Sequence, residues 1–255
     1  MNFLRKYGII LRGLLVAIPI VLAKIWIDYS DIAFIQLNPI ISSFLGGVFF
    51  TISILFAGAV ADYKESEKIP GELAVSLKSL MNDLLLIPKD KKTDSLVKEL
   101  RNSIKDLLKT INSEFIKKTW KLKEIDSRLN TINSILSNLS FAGVQLSMIT
   151  RMRSELTSID RLSHRIDIVG ETSFIPAAYG IAETAVGSTI FLLLFIKNEW
   201  AYGGTLIIGL VSLVLTSLVF LIKDMDNPFE YENNSYADVD ISILNNLEKY
   251  WNSNI

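Results

Sequence analysis

The side chains best equipped to hold an ion lie in one short stretch, Lys223 to Leu244. It carries Asp224, Asp226, Glu230, Glu232, Asp238 and Asp240 around an Asn227-Pro228-Phe229 turn. Carboxylate oxygens suit a hard cation such as calcium, which takes about six to eight oxygen ligands. Separated acids and a few amides fall short of that set, so no metal and no other cofactor is expected. Asp224 and Glu232 are the residues that would contribute if calcium were held there. The turn is first of all a helix stop, because proline removes a backbone donor and restricts the residue before it.

Other chemistry is sparse. There is no cysteine and a single histidine, His164. Disulfides and multi-histidine or thiolate zinc sites within one chain are excluded. His164 reads either as a pH sensor or, beside Arg165, as part of a solvated helix face. No glycine-rich phosphate loop, nucleophile elbow or pair of carboxylates beside a histidine is evident, so no enzyme is expected. A lipid-acting enzyme would need a buried acid–histidine pair around His164. A net charge of −1 argues against nucleic-acid binding by phosphate neutralisation. Glu183 stands alone as an acid in an apolar segment, either as a functional group or paired with Arg161 or Arg165 near an interface.

A different kind of chemistry is suggested by Val48, Ile52 and Phe56, at i, i+4 and i+8. Repeated around a symmetry axis, they form an apolar constriction that gates by dewetting. Ser43, Gly47 and Thr51 lie nearby in a stretch rich in small residues, which serve either a pore lining or close helix packing. Packing of the triad into lipid or core is the competing reading.

The elements that must position these residues follow from charge-free runs. Ile32–Ala61 has no charged residue, about 30 positions, enough for a span and an interfacial piece. Ala201–Ile222 is a second such run of about 22. Gly13–Ala23, with Arg12 and Lys24 snorkelling at its ends, and Thr172–Ile196 complete four. The first segment reads as a retained helix anchored by Trp26 and Tyr29, or as a signal peptide. Most of the 26 Lys and Arg residues lie between Asp62 and Glu171. The positive-inside rule then places both termini and this insert in the cytoplasm. Within the insert, Leu73, Leu77, Leu80 and Leu84 have a helical period, and Asp94–Leu139 reads as a long helix or helix pair. Ile125, Leu129, Ile132, Leu136 and Leu139 form a coiled-coil-like stripe, for packing inside the chain or between chains. Phe141-Ala142-Gly143 predicts a break, and a further helix runs through Met152, Leu156, Ile159 and Leu162.

Several fragments, taken in order, resemble the bestrophin family of pentameric ion channels, most nearly its prokaryotic members. They are Asp226-Asn227-Pro228-Phe229, then Asp238-Val239-Asp240-Ile241 leading into a helix at Leu244. Arg165-Ile166, Thr172, Pro176 and Tyr179 precede the third span. Tyr63, Glu67 and Gly71 follow the second, without the family's paired tryptophans. The resemblance covers about half the chain. It implies five chains around one axis, the second span lining the pore, and a neck at Val48, Ile52 and Phe56. It also implies that the turn after Phe229 corresponds to a calcium clasp in animal members, here thinned of carboxylates.

The expected architecture is an all-α membrane protein. Four transmembrane helices form two hairpins, with a large cytoplasmic helical bundle inserted between the second and third. The expected divisions are 1–61, a first transmembrane hairpin; 62–171, the cytoplasmic helices; 172–222, a second hairpin; and 223–255, a cytoplasmic turn and helix. The expected function is a bestrophin-like channel in the cell (inner) membrane, passing small inorganic ions, chloride among them, as a homo-oligomer, by resemblance a pentamer, in the lipid bilayer. The alternative is a non-conducting four-span scaffold or sensor whose cytoplasmic helices bind a partner.

Overall fold

A computed structural model describes residues 3–88, 90, 92–117, 120–171, 176–197, 201–226, 228–229 and 235–254. Among them there are eight α-helices and no β-strand: α1 (Phe3–Tyr29), α2 (Pro39–Asp83), α3 (Asp94–Lys117), α4 (Leu122–Phe141), α5 (Leu146–Glu171), α6 (Pro176–Phe195), α7 (Ala201–Asp226) and α8 (Ser242–Asn254). A 3-10 turn, Leu84–Leu86, follows α2. Four helices are long and apolar enough to cross a membrane, within α1, α2, α6 and α7.

The first part of the charge-free run that starts at Ile32 is not helical. Residues 32–38 run extended and Ile35 pairs with Ile196 as an isolated bridge. Helix α2 starts where its sequence permits. Asn38 caps it through the Ile41 N–H, 3.0 Å from Asn38 Oδ1, and Pro39 takes the first turn, where a missing N–H costs nothing. The helix then continues for 45 residues, about 67 Å at 1.5 Å per residue. That exceeds the roughly 30 Å hydrocarbon core about twofold. Helix α2 passes through Pro70 without a break and takes in the periodic residues Leu73, Leu77 and Leu80. An interior proline costs about 3 kcal/mol; burial of Ile69, Leu73, Leu77 and Leu80 on both sides offsets it.

The chain divides into two compact units. The first comprises Met1–Tyr63, Ser173–Pro228 and Glu232–Asp238; the second comprises Lys64–Thr172, Phe229–Tyr231 and Val239–Ile255. In the first, α1 packs along α7 and against α6, and α6 packs on α7; along their length α1 and α2 are not neighbours. Close approach of α1 and α7 depends on glycine. A Cβ at Gly209 would lie 2.7 Å from Val21 Cγ2, and one at Gly13 would strike the Ser217 hydroxyl. Small residues at such crossings let membrane helices gain dispersion contact.

In the second unit, α3, α4 and α5 pack in sequence and α8 lies on α3. The stripe Ile125, Leu129, Ile132, Leu136 and Leu139 is buried inside the unit, which makes it the core of this chain's own bundle. The expected long helix is a pair, α3 and α4. Glu114, itself buried, accepts the Lys121 N–H at 2.8 Å and satisfies a backbone donor at the start of α4. The break at residues 141–143 ends α4 as anticipated: Gly143 takes a φ of +95°, and the Val144 N–H reaches back to the Leu139 carbonyl at 3.1 Å. A left-handed glycine at this position closes a helix without a Cβ clash.

Candidate functional site

The face of α2 that a pore would use can be read from its burial. Val48 and Ile52 are 5% and 0% exposed and point inward, packed with Ala182 and Val186 of α6 and Leu215 and Val219 of α7. Phe56 continues this stripe, half-buried. The opposite face carries Ser43, Gly47, Phe50, Ile54 and Ala57, all exposed. Thr51 is half-buried, its hydroxyl donating to the Gly47 carbonyl at 2.9 Å. Among the described residues a Cβ at Gly46 or Gly47 would meet nothing within 4 Å, so these glycines serve no close contact there. The small residues of α2 therefore lie open, whereas the glycines that a helix crossing needs are in α1 and α7.

Helix spacing alone could not choose between these faces. Both carry apolar residues at i, i+4 intervals, and only packing against α6 and α7 decides which is covered.

One buried charge escaped the sequence reading. Lys24, expected to snorkel, is fully buried. Its ammonium pairs with Asp28 Oδ1 at 2.6 Å and donates to the carbonyls of Leu194 at 3.2 Å and Ile196 at 2.5 Å. Those carbonyls lie at the C-terminal end of α6, where helix carbonyls lack intrahelical partners and a cation is favoured. The available signal was Asp28, four residues on, one helical turn from Lys24. Glu183 pairs with Lys223 of α7, not with Arg161 or Arg165. Arg165 instead faces Glu65 at 4.0 Å.

At the acidic exit from α7 a carboxylate holds backbone. Asp224 Oδ2 accepts the N–H groups of both Tyr236 and Ala237, each at 2.8 Å. It thereby clamps the returning chain onto the end of α7. Tyr236 also receives the Arg12 guanidinium over its ring, 4.8 Å from the centroid, a cation–π contact. Asp226 lies against the Tyr179 hydroxyl of α6, so two of the fragments quoted for the resemblance meet in space. Pro228 is buried, and Phe229 stacks at 6.0 Å from Phe115, which in turn packs on Trp120 at 4.7 Å. Asn227, Glu230 and Glu232 lie outside the described residues, as do Thr172 and the 198–200 link. Asp240 Oδ1 accepts the Ser242 N–H at 2.8 Å and starts α8.

The sequence showed no carboxylate pair beside His164, but the fold supplies one. Asp126 of α4 and Asp160 of α5 bring carboxylate oxygens within 4.8 Å of an imidazole nitrogen. Asp160 is the i−4 neighbour, with its Oδ1 3.3 Å and its backbone carbonyl 3.1 Å from His164 Nδ1. The pair is half-exposed, Asp160 and His164 having side-chain exposures of 49% and 50%. It is not the buried acid–histidine couple that general acid–base chemistry on a lipid would use.

One further acid is perturbed in the second unit. Asp83 is buried at the end of α2, and burial pushes its carboxyl above the usual range; the Arg151 charge opposes this and Glu155 adds to it. Arg151 approaches to 3.0 Å, but without the angles of a hydrogen bond.

No protein-family model matches this sequence. No curated protein matches it either. The fold does have solved counterparts. A crystal structure described as a membrane protein, in a point-substituted form, superposes with a TM-score of 0.79 at 13% identity, covering 96% of this chain and 97% of that one. A bacterial bestrophin homologue from Klebsiella pneumoniae superposes with a TM-score of 0.75 at 12% identity, covering 97% of both chains. A substituted form of that homologue gives 0.76 at 13%, covering 95% and 98%. Nearly the whole chain is matched at low identity, in agreement with the resemblance read from the ordered sequence fragments. The chain has the bestrophin-like fold of these bacterial homologues.

Proposed function

We propose that this chain is the subunit of an oligomeric ion channel that conducts small ions passively through an axial pore lined by α2. The observation that carries this reading is the open face of α2. Ser43, Gly47, Phe50, Ile54 and Ala57 are exposed along a helix whose other side, through Val48 and Ile52, packs on α6 and α7. Copies related by a symmetry axis would close this face around a lumen, with small residues where the bore is wide. The apolar ring is then Phe50 and Ile54, one turn apart, gating by dewetting. Val48 and Ile52, which the resemblance implied as the neck, are committed to contacts with α6 and α7. The bestrophin-like fold supports an assembly of five, with the helical block inserted between the second and third spans and both termini in the cytoplasm. The location of most Lys and Arg residues in that block supports the same orientation. Two hairpins, α1–α2 and α6–α7, traverse the cell membrane.

The test is ion flux into liposomes containing the purified protein, with separate reporters for chloride and potassium. Phe50→Ala with Ile54→Ala should raise flux severalfold. Val48→Ala with Ile52→Ala should lower thermal stability instead, leaving flux per folded oligomer near wild type. Flux raised by the Val48 and Ile52 pair alone would return the neck to the stripe read from the sequence. Absence of flux in wild type and both double variants, with intact oligomers, would refute conduction.

A further inference from the structure

A cleft within the second unit lies between the last turns of α2, the first half of α3, and α8. Its volume is about 620 Å³, within the range of about 300–1,000 Å³ for small-molecule sites. Lys78 and Arg101 are the charged residues that line it, with no carboxylate among the lining. Among the described residues neither cation has an ion-pair or hydrogen-bond partner, and Arg101 Nε is buried with no acceptor. A buried donor left unmade is costly, more so when it is charged. The rest of the wall is largely apolar: Met81, Leu85, Leu247 and Trp251. Leu85 and Tyr250 are exposed at this wall although large and apolar or aromatic.

These features suit one chemistry. An oxyanion supplies the acceptors that Arg101 lacks, and a planar carboxylate, sulfonate or phosphate group matches the guanidinium fork. A simple inorganic anion would leave the apolar wall and most of the volume unfilled. We propose that this cleft is a binding site for a compact organic anion, with its charged end on Arg101 and Lys78 and its apolar body against Met81, Leu247 and Trp251. Because the walls come from α2 and α8, occupancy holds the C-terminal helix to the end of the long one. The site does not depend on whether the protein conducts ions.

The test is calorimetric titration of the full chain in neutral-lipid nanodiscs with naphthalene-2-sulfonate, using empty nanodiscs as the blank. One saturable site per chain is expected. Arg101→Gln should weaken it about tenfold or more, the usual worth of a charge-assisted bond. Lys78→Gln, at an exposed position, should weaken it about threefold by reducing the local positive charge. Neutral 2-naphthalenemethanol should bind at least about tenfold more weakly than the sulfonate, for the same reason. Circular dichroism melts establish that each variant is folded; if Arg101→Gln is not, the Lys78→Gln affinity decides. Any of four results would overturn the proposal. These are no saturable binding, equal binding of the neutral probe, unchanged affinity in the folded variants, or displacement by inorganic phosphate at concentrations equal to the sulfonate. A change of oligomer size in the variants without loss of sulfonate affinity would assign the cleft to a neighbouring copy and likewise overturn it.

Discussion

The two units of this chain solve the same helix-packing problem in opposite ways. In the second, apolar stripes are hidden: Leu73, Leu77, Leu100, Ile104, Leu107, Ile125 and Ile132 are all at 0% exposure. In the first, large apolar side chains point outward, with Leu15 at 74%, Ile40 at 79% and Phe50 at 68%. Both interiors also take in polar groups: Lys24, Thr189, Ser212 and Thr216 in the first, and Ser76, Asp83, Asn112 and Glu114 in the second. The difference teaches which solvent each unit faces. Water drives apolar surface inward. Lipid gives no such drive, so helices there associate through close contact at small residues and through polar pairs.

The contrast can be broken most sharply at matched leucines. Leu107→Ala should destabilise the second unit by about 2–5 kcal/mol through lost burial and a residual cavity. The corresponding Leu15→Ala, on an outward face of α1, should change stability by less than about 0.5 kcal/mol. Thermal or denaturant unfolding followed by tryptophan emission reads both. Comparable losses would mean that the outward face of α1 is buried in the assembly rather than bathed in lipid.

A second effect, somewhat smaller, concerns the buried cation. Lys24→Met keeps the volume but strands Asp28 and leaves two α6 carbonyls without their donor. Because Asp28 is partly exposed, the expected loss is about 1–3 kcal/mol rather than the full cost of a broken buried pair. It should appear as a lower melting temperature in detergent. Adding Asp28→Asn to Lys24→Met should recover part of the loss. A double variant no better than the single would remove Asp28 from this account.

The smallest effect is tied to pH and sits in the second unit. A carboxyl whose folded value lies above its ordinary value near 3.8 favours the fold when protonated. Stability therefore falls as pH rises from that ordinary value to the raised one, then stays level. Asp83→Asn should flatten this decline and leave the protein at least as stable as wild type at neutral pH, because the exposed Arg151 gains little from the pair. Denaturant melts at pH 4, 5, 6 and 7 check the slope. An unchanged slope would show that another group carries the acid dependence.

How much was legible in the sequence follows the same division. The four apolar helices were: Ile32–Ala61 and Ala201–Ile222 as charge-free runs long enough to cross a bilayer, the other two as a short run between Arg12 and Lys24 and a run interrupted by Glu183. The α4 stripe and the break at Gly143 were legible too, since period and turn chemistry are local. The meeting of Asp126 with His164 was invisible, being a product of how α4 lies against α5.

The candidate pore face shows the limit most clearly. The sequence by itself determined that Ile32–Ala61 holds a membrane-length helix with small and apolar residues on more than one side. Only the tertiary structure decided that Val48 and Ile52 face α6 and α7 while Phe50 and Ile54 remain open. The physical reason is that in an apolar solvent hydrophobicity no longer marks the inside of a helix. Burial is then chosen by shape, by which side chains fit between neighbours, and shape is a property of the packed unit rather than of any one segment.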